Sequence, residues 1–212
     1  MLSRIKRPSM NDAIAKYGVF GAGWEQLSED LYDYQAYAAA GQQVLSFFQQ
    51  PIGAAGKTVE DTNMQLAGQL AQGQMFLVNG IVVDFQGGNV ASSTGAIVAA
   101  NANDFKLVGD RGALIFSIGS KPYYTGAPLK RFPMRQYVGG DFAIADTTTA
   151  GAAQRTKIEL PRFCGHPCAI NPVMIPSLEA FNVSLSWTTS IAVSVAGRIG
   201  VRLLGTKFRK TQ

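Results

Sequence analysis

Histidine and cysteine are scarce in this 212-residue sequence, and the scarcity argues against several classes of protein. The chain has one histidine and two cysteines, which lie together as Cys164, His166 and Cys168 in the segment CGHPC. Two cysteines do not form a disulfide framework, and a structural zinc site needs four ligands. We therefore interpret this cluster as buried thiols beside a loop histidine. A site completed by a carboxylate or a second chain, and a Cys–His nucleophilic pair, are the alternatives.

Long apolar runs and charged residues are also few. No apolar run reaches the ~18 residues that a membrane-spanning helix requires, and the N-terminal segment MLSRIKRPSMNDAI lacks the apolar core of a secretory signal. Charged residues make up only 16% of the chain, whereas hydrophobic residues make up 47%. This balance indicates that part of the surface is buried against other chains.

Two stretches carry the strongest β patterns. Met75–Phe85, MFLVNGIVVDF, has apolar residues at both its odd-numbered and its even-numbered positions. Because these positions face opposite sides of a strand, the pattern predicts a strand buried on both faces. Phe181–Leu203 alternates apolar and polar residues around a polar break at Thr188, which predicts two antiparallel strands joined by a short turn. Gly197 and Gly200 in the second of these strands indicate a bulge or a close backbone approach.

Weaker patterns bring the count to roughly eight strands. They lie at residues 42–49, 96–100, 114–118, 137–144 and 157–160, and the segment KPYYTGAP at 121–128 predicts a hairpin region. Eight strands in two antiparallel sheets is the jelly-roll count, and the Cys…Trp…Cys spacing of an immunoglobulin sandwich is missing. We predict an all-β chain with a single eight-stranded jelly roll, a two-sheet antiparallel sandwich, over residues 41–212.

Residues 1–40 are predicted to form an N-terminal arm outside the sheets. Ser9 or Asn11 could cap a short helix, and a second helix could span Glu25–Ala39 with its acids near the start. The tyrosines at 32, 34 and 37 could instead alternate along a strand edge. The sequence leaves both alternatives open.

Positive charge is concentrated at the two ends. Residues 1–16 carry a net +3 and residues 198–212 a net +5, against +5 for the whole chain. We predict that the terminal cations face nucleic acid or an anionic membrane surface, because clustered positive charge attracts phosphates. The alternatives are solvated, frayed ends and a clamp in which the N-terminal cations pair with Glu29, Asp30 and Asp33 of a neighbouring subunit. The predicted contact residues are Arg4, Lys6, Arg7, Lys207, Arg209 and Lys210.

Three further motifs suggest chemistry that their context does not support. GAAGKT at residues 53–58 looks like a phosphate-binding loop, but Pro51 occupies the position of its first glycine. The adjacent acids Glu60 and Asp61 are more typical of a solvated face than of acid–base catalysis. In the third motif, aromatic and basic residues alternate irregularly between positions 121 and 137. Such a mixture is found in surfaces that bind single-stranded nucleic acid and in subunit interfaces, and we favour the interface. Its members are Tyr123, Tyr124, Phe132, Tyr137, Lys121, Lys130, Arg131 and Arg135.

A resemblance to a known family rests on residues 42–86 and 179–212. The segments VLSFFQQPIG, KTVEDTNMQLAGQLAQGQMFLVNGIVVDF, FNVSLSW and GRIGVRLLGTKFRKTQ together resemble capsid proteins of small tailless icosahedral bacteriophages. The resemblance implies a jelly-roll fold, self-assembly into an icosahedral shell, other virion proteins as partners, and location in the virion after assembly in the host cytoplasm. It transfers no catalytic residue and no cofactor.

We therefore predict a structural, non-catalytic viral coat protein without cofactor or metal. Two other functions stay open: a vertex or receptor-binding virion protein, and a non-viral β-sandwich module that binds carbohydrate. An enzyme would have to depend on Cys164 or His166.

Overall fold

Two antiparallel β-sheets pack face to face in a sandwich, as seen in a computed structural model of the chain. The structure describes residues 15–16, 23–86, 104, 106–132 and 168–211, with only the backbone at 168 and 169. The strands in this part of the chain are β1 Trp24–Leu27, β2 Leu31–Tyr37, β3 Val44–Phe47, β4 Gln74–Gln86, β5 Gly112–Ile118, β6 Lys121–Pro128, β7 Cys168–Ile175, β8 Phe181–Trp187 and β9 Gly197–Lys210. The predicted β class and two-sheet arrangement are confirmed.

The five-stranded sheet is built around its two longest strands, β4 and β9. They pair over almost their whole length, β7 flanks β4, and β1 and β2 both pair with the other side of β9. Side chains of both parities are buried along β4, from Phe76 and Leu77 to Val82 and Val83. The predicted doubly buried strand is thus confirmed, and it lies in the middle of the larger sheet.

The four-stranded sheet has the order β3-β8-β5-β6, and the core lies between the two sheets. The apolar patterns of β4 and β8 predict burial of Phe76, Ile81, Phe85, Phe181, Leu185 and Trp187, and all six are buried. The polar positions Asn182, Ser184 and Ser186 of β8 are expected to be more exposed or to lie at a subunit contact, and Asn182 and Ser186 are half-buried. Ser184 is buried at 9% exposure, so its expected exposure is wrong, and its place at a subunit contact stays a prediction.

The chain order of the strands makes a nested set of antiparallel pairs. β5 pairs with β6, β4 with β7, β3 with β8 and β2 with β9. Two further pairings, β4 with β9 and β5 with β8, join these hairpin-like pairs into the two sheets. The loops 48–73, 119–120 and 176–180 therefore lie at one end of the sandwich.

The two strands predicted within Phe181–Leu203 do exist, but they do not form a hairpin. β8 belongs to the four-stranded sheet and β9 to the five-stranded sheet, with residues 188–196 crossing between them. The alternation of buried residues continues through this connection, because Ile191 and Val193 are buried in the core. Period-two patterning reports burial on one side but does not identify the neighbouring strand.

The prediction that residues 1–40 form an arm outside the sheets is wrong for residues 24–37. These residues form β1 and β2 on the edge of β9, and the helix alternative over Glu25–Ala39 is also wrong. The free side of β2 is covered by residues 61–63. Tyr34 N–H donates to the Asp61 carbonyl at 2.7 Å, and Asn63 N–H to the Tyr32 carbonyl at 3.4 Å. Such a cover leaves no free edge there for pairing with another chain.

Strand β7 was missed as well as β1, and several predicted strands lie outside the described residues. β7 contains Asn171 and Pro172, which interrupt a strand pattern. Proline is tolerated because β7 is an edge strand among the described strands and its register with β4 is interrupted between Ala169 and Val173. The strands predicted at 96–100, 137–144 and 157–160, and the helix cap at Ser9 or Asn11, fall outside the described part of the chain.

Candidate functional site

Polar and charged side chains follow the face of the larger sheet that points away from the core. Tyr34, Gly200 and Asp84 form one row across β2, β9 and β4. The Tyr34 ring lies directly over Gly200, where a Cβ atom would be 2.3 Å from the ring. The prediction at Gly200 was a bulge or a close backbone approach, whereas the close neighbour is the Tyr34 side chain. Tyr34 reaches across β9, and its hydroxyl donates to Asp84 Oδ2 at 3.1 Å.

The Tyr34 phenol stays protonated far into the alkaline range. Burial, together with the negative charge of Asp84 and the hydrogen bond to it, raises the pKa of Tyr34 to about 12. Arg198 packs over the same ring, with Cζ 5.2 Å from its centroid. The row therefore holds a neutral donor and a carboxylate between two arginines of β9.

Four cations of β9 pair with four acids from residues 25–61, and we call this set the β9 ladder. Its pairs are Arg209–Glu25, Lys207–Glu29 at 3.0 Å, Arg202–Asp30 at 2.8 Å and Arg198–Asp61 at 2.5 Å. Burial by itself would lower the pKa of Arg202, but the hydrogen bond and charge of Asp30 outweigh it and raise that pKa. The ladder neutralises most of the positive charge of the C-terminal strand.

Asp61 has a second role beside its contact with Arg198. Its carboxylate accepts hydrogen bonds from the Thr58 backbone N–H at 2.9 Å and from the Thr58 hydroxyl at 3.1 Å. The Thr58 backbone N–H, with smaller contributions from the Thr58 hydroxyl and Arg198, lowers the pKa of Asp61. The Glu60–Asp61 pair of acids therefore closes a turn and is not arranged for proton transfer.

The predicted contact residues have different outcomes. Lys207 and Arg209 belong to the β9 ladder, and Lys210 Nζ lies 5.7 Å from the centroid of the Trp24 ring. They are part of a paired strand rather than a frayed basic tail. Arg4, Lys6 and Arg7 lie outside the described residues. Each acid proposed for the inter-subunit clamp already has a cation in the same chain: Lys207 for Glu29, Arg202 for Asp30 and Lys57 for Asp33.

Reasoning from the sequence missed the β9 ladder, although a signal for it was present. Glu25 stands directly opposite Arg209 in the antiparallel register of β1 and β9. Acids at 25–30 and cations at 202–209 would have matched if the two segments had been aligned in opposite directions. The sequence separation of 172 to 184 residues for these three pairs hid the match.

The GAAGKT segment does not form a phosphate-binding loop. Residues Ala54–Gly56 form a single 3-10 turn, and Lys57 is buried. Its Nζ lies 2.9 Å from Asp33 Oδ1 and also donates to the Tyr34 carbonyl. A phosphate-binding lysine must be free to reach the ligand, and Lys57 is held inside the fold.

The basic and aromatic residues of the 121–132 segment lie on the outer edge strand β6 and the turn after it. Lys121 Nζ is 5.3 Å from the Tyr123 ring centroid, and Arg131 Cζ is 5.5 Å from that of Tyr124. Both tyrosines are half-buried and pack on the core. Tyr137 and Arg135 fall outside the described residues.

The described residues form no recognisable metal centre. Within them, there is no group of three His, Cys, Asp or Glu side chains that could hold a metal ion. Cys164 and His166 lie beyond the described part, and Cys168 begins β7.

An open groove of about 770 Å³ runs beside the end of β9, between Glu25, Gln74 and Arg209. Among the helices described, none is long and apolar enough to cross a bilayer.

Comparisons of this chain with protein-family models, with curated proteins and with solved structures found no match.

Proposed function

We propose that this chain is a structural coat protein with a single jelly roll, which self-assembles into an icosahedral viral shell around the genome. The strand topology is the observation that carries the proposal. The proposed role is non-catalytic, and its main partners are copies of the same chain and other virion proteins. Its proposed place is the virion.

The nested pairs support the jelly-roll assignment. A jelly roll is an eight-stranded double sheet made of two Greek keys. With β1 set aside, the orders β2-β9-β4-β7 and β3-β8-β5-β6 use eight strands, four in each sheet. Both strand orders result when one long antiparallel hairpin, with β5 and β6 at its tip, folds over on itself. β1 then extends the β2 edge of the larger sheet.

The pattern that resembles phage capsid proteins coincides with the framework of this topology. Asp61 and Asn63 cover the edge of β2, Met64 and Leu70 are buried in the core, and the central strand β4 follows. The resemblance therefore involves residues that determine the sandwich, rather than a ligand site. Because a fold does not by itself imply a function, the coat role depends on the resemblance and the topology together.

Exposed apolar side chains support self-association. Val44 on the edge strand β3 is 61% exposed, and Leu178 in the β7–β8 loop is 54% exposed. Leu178 also has a left-handed backbone, with φ of 60°, which is rare for a leucine and is kept when the surroundings enforce it. Its N–H donates to the Leu70 carbonyl at 3.0 Å. A rigid loop that presents a leucine to solvent suits a contact between subunits.

Assembly of the purified full-length chain tests the proposal. We expect trimers, pentamers or closed particles by analytical ultracentrifugation and negative-stain microscopy. Leu178→Ser should weaken assembly, while Thr58→Ser, on an exposed turn, should not. A chain that stays monomeric at all accessible concentrations in its native buffer would contradict the coat function.

The N-terminal residues Arg4, Lys6 and Arg7 are the proposed contacts with the genome or an inner anionic membrane. Deletion of residues 1–8 should then leave shells that form but retain genome or lipid poorly, because phosphate binding by cations depends on their number. Failure of shells to form would instead assign the segment to assembly. Rapid protease cleavage at these residues in intact particles would contradict the interior position.

A carbohydrate-binding module is the second candidate, and the open groove at Glu25, Gln74 and Arg209 is the observation that favours it. Its polar lining offers hydrogen-bond donors and acceptors for hydroxyl groups. A monomeric protein that binds glycans and loses binding in Gln74→Ala would support this candidate. A receptor-binding protein at the vertices would bind glycan or receptor within the virion and would be present in few copies.

A further inference from the structure

Three exposed cations lie along the β5–β6 hairpin, and we call them the hairpin edge: Lys121, Lys130 and Arg131. Lys121 begins β6, and the other two lie in the 3-10 turn Leu129–Arg131 that follows it. Among the described strands, β6 is the outermost of the four-stranded sheet and pairs with β5 alone. The hairpin edge is therefore open to solvent in the described part of the chain.

The cations of this hairpin outnumber the acids near them, although the Glu179 carboxylate lies against the β5–β6 turn at Gly119. Residues 106–132 contain Lys106, Arg111 and the three cations of the hairpin edge against the single acid Asp110, which gives 5 − 1 = +4. No carboxylate within the described residues forms an ion pair with any of the three. By contrast, four cations of β9 are already paired within the β9 ladder. Within the described residues, the three cations of the hairpin edge thus lack an ion pair, against one such cation, Lys210, on β9.

Aromatic rings hold two of these cations in place. Lys121 and Arg131 lie over Tyr123 and Tyr124, as described above. Tyr123 packs against Phe116 with ring centroids 5.8 Å apart, and Tyr124 against Phe132 at 5.6 Å. Phe116 and Phe132 are fully buried. Because the rings are fixed to the core, each cation loses little further freedom when it binds a ligand.

We infer that the hairpin edge binds the phosphate backbone of single-stranded nucleic acid. Lys121 and Pro128 are separated by seven strand residues, or about 23 Å at ~3.3 Å per residue, so the cations form a line that suits a linear polyanion. Cations combined with aromatic rings along a groove or edge are typical of single-strand binding. The inference rests on the proposed coat function, because the enclosed genome is then the nucleic acid that this surface meets.

The composition of the hairpin favours nucleic acid over a lipid surface. A protein face that inserts into a bilayer interface combines cations with exposed large apolar side chains. The exposed large hydrophobic residues of the described chain are Val44, Ile52, Val59, Leu66 and Leu178. None of them lies on β6 or in the turn that follows it.

Binding of a fluorescent 20-nucleotide oligo(dT) to the full-length protein, measured by anisotropy from 50 to 200 mM NaCl, tests the inference. The test variant is K121Q/K130Q/R131Q. Since a single strand contributes a slope of about 0.7 per neutralised phosphate, the variant should lower the slope of log K against log salt by about 2. The charge-preserving variant K121R/K130R/R131K should bind like the unmodified chain. K207Q/R209Q/K210Q, which removes the same charge from the end of β9, should keep most of the slope.

The outcomes of this experiment distinguish binding of nucleic acid by the hairpin edge from its alternatives. An unchanged slope in K121Q/K130Q/R131Q, or a larger loss in K207Q/R209Q/K210Q, would overturn it. Binding of the chain to phosphatidylglycerol vesicles but not to oligo(dT) would overturn it in favour of a membrane. If the triple variant does not fold by circular dichroism, the single variants should each lower the slope by about 0.7. Assembly is scored separately by ultracentrifugation, so shells that form without hairpin binding refute this inference and leave the coat function standing.

Discussion

Loss of the Lys57 ammonium should destabilise the fold far more than loss of any surface cation. Lys57 and Asp33 form an ion pair at 2.9 Å, with side chains 8% and 0% exposed. The pair links the loop after β3 to β2, and the Phe48 backbone N–H also donates to Asp33 at 2.7 Å. Removing one partner leaves the other as a buried charge without compensation, which costs about 3–5 kcal/mol.

The structure places Lys57→Met near the lower end of that range. Asp33 would keep two donors, the Phe48 N–H and the Gln35 amide at 3.0 Å. We therefore expect Lys57→Met to lower the free energy of unfolding by about 3 kcal/mol. Asp33→Ala should cost more, because it also removes the acceptor of the Phe48 N–H, which adds about 1–3 kcal/mol. The double variant Asp33→Asn/Lys57→Met should be less destabilised than Lys57→Met, since no buried charge is left unpaired.

Urea denaturation followed by tryptophan fluorescence measures these differences. Lys130→Met is the matched control: Lys130 is exposed, and a surface substitution of this kind changes stability by about 0.5 kcal/mol or less. A loss below about 1 kcal/mol for Lys57→Met, where removal of a buried partner should cost several times more, would refute the reasoning. Tight ATP binding that disappears in Lys57→Met without loss of stability would revive the phosphate-loop interpretation.

Three further predictions concern the core and the row across the larger sheet. Trp187→Ala and Phe85→Ala should each lower the free energy of unfolding by about 3–5 kcal/mol. If both variants have the melting temperature of the unmodified chain, the two-layer core is not what stabilises the fold. Gly200→Ala should cost about 1–3 kcal/mol through displacement of the Tyr34 ring, seen as a lower melting temperature; because Gly200 does not have a positive φ, backbone strain does not contribute to this loss. Because its pKa is raised to about 12 in the fold, first by burial, Tyr34 stabilises the native state below pH 10, and this contribution is lost as the pH rises towards 12. The unfolding free energy of Tyr34→Phe should therefore fall less steeply over that range, and identical alkaline profiles would contradict the raised pKa.

Local patterning in the sequence was sufficient for the strands with the clearest burial. The β class, the doubly buried β4, and the buried faces of β8 and β9 follow from which positions are apolar, because a strand places alternate side chains on opposite faces. The burial of Phe76 and Trp187 was predictable for the same reason. β7 was not, because Pro172 breaks the pattern and is tolerated only by the edge position that the fold provides.

The partners of each strand, and therefore the free charges of the molecule, were decided by the tertiary structure. The sequence places Glu25 and Arg209 at opposite ends of the chain, yet antiparallel pairing of β1 with β9 brings them into contact. The same count of cations at the C-terminus predicted a free basic surface, whereas ion pairs in the fold neutralise four of the five cations of β9 and, within the described residues, leave Lys121 and Arg131 without a paired acid on the hairpin edge. Composition determines how much charge a chain carries. Which charges remain available to a partner depends on distances between residues far apart in sequence, and only folding sets those distances.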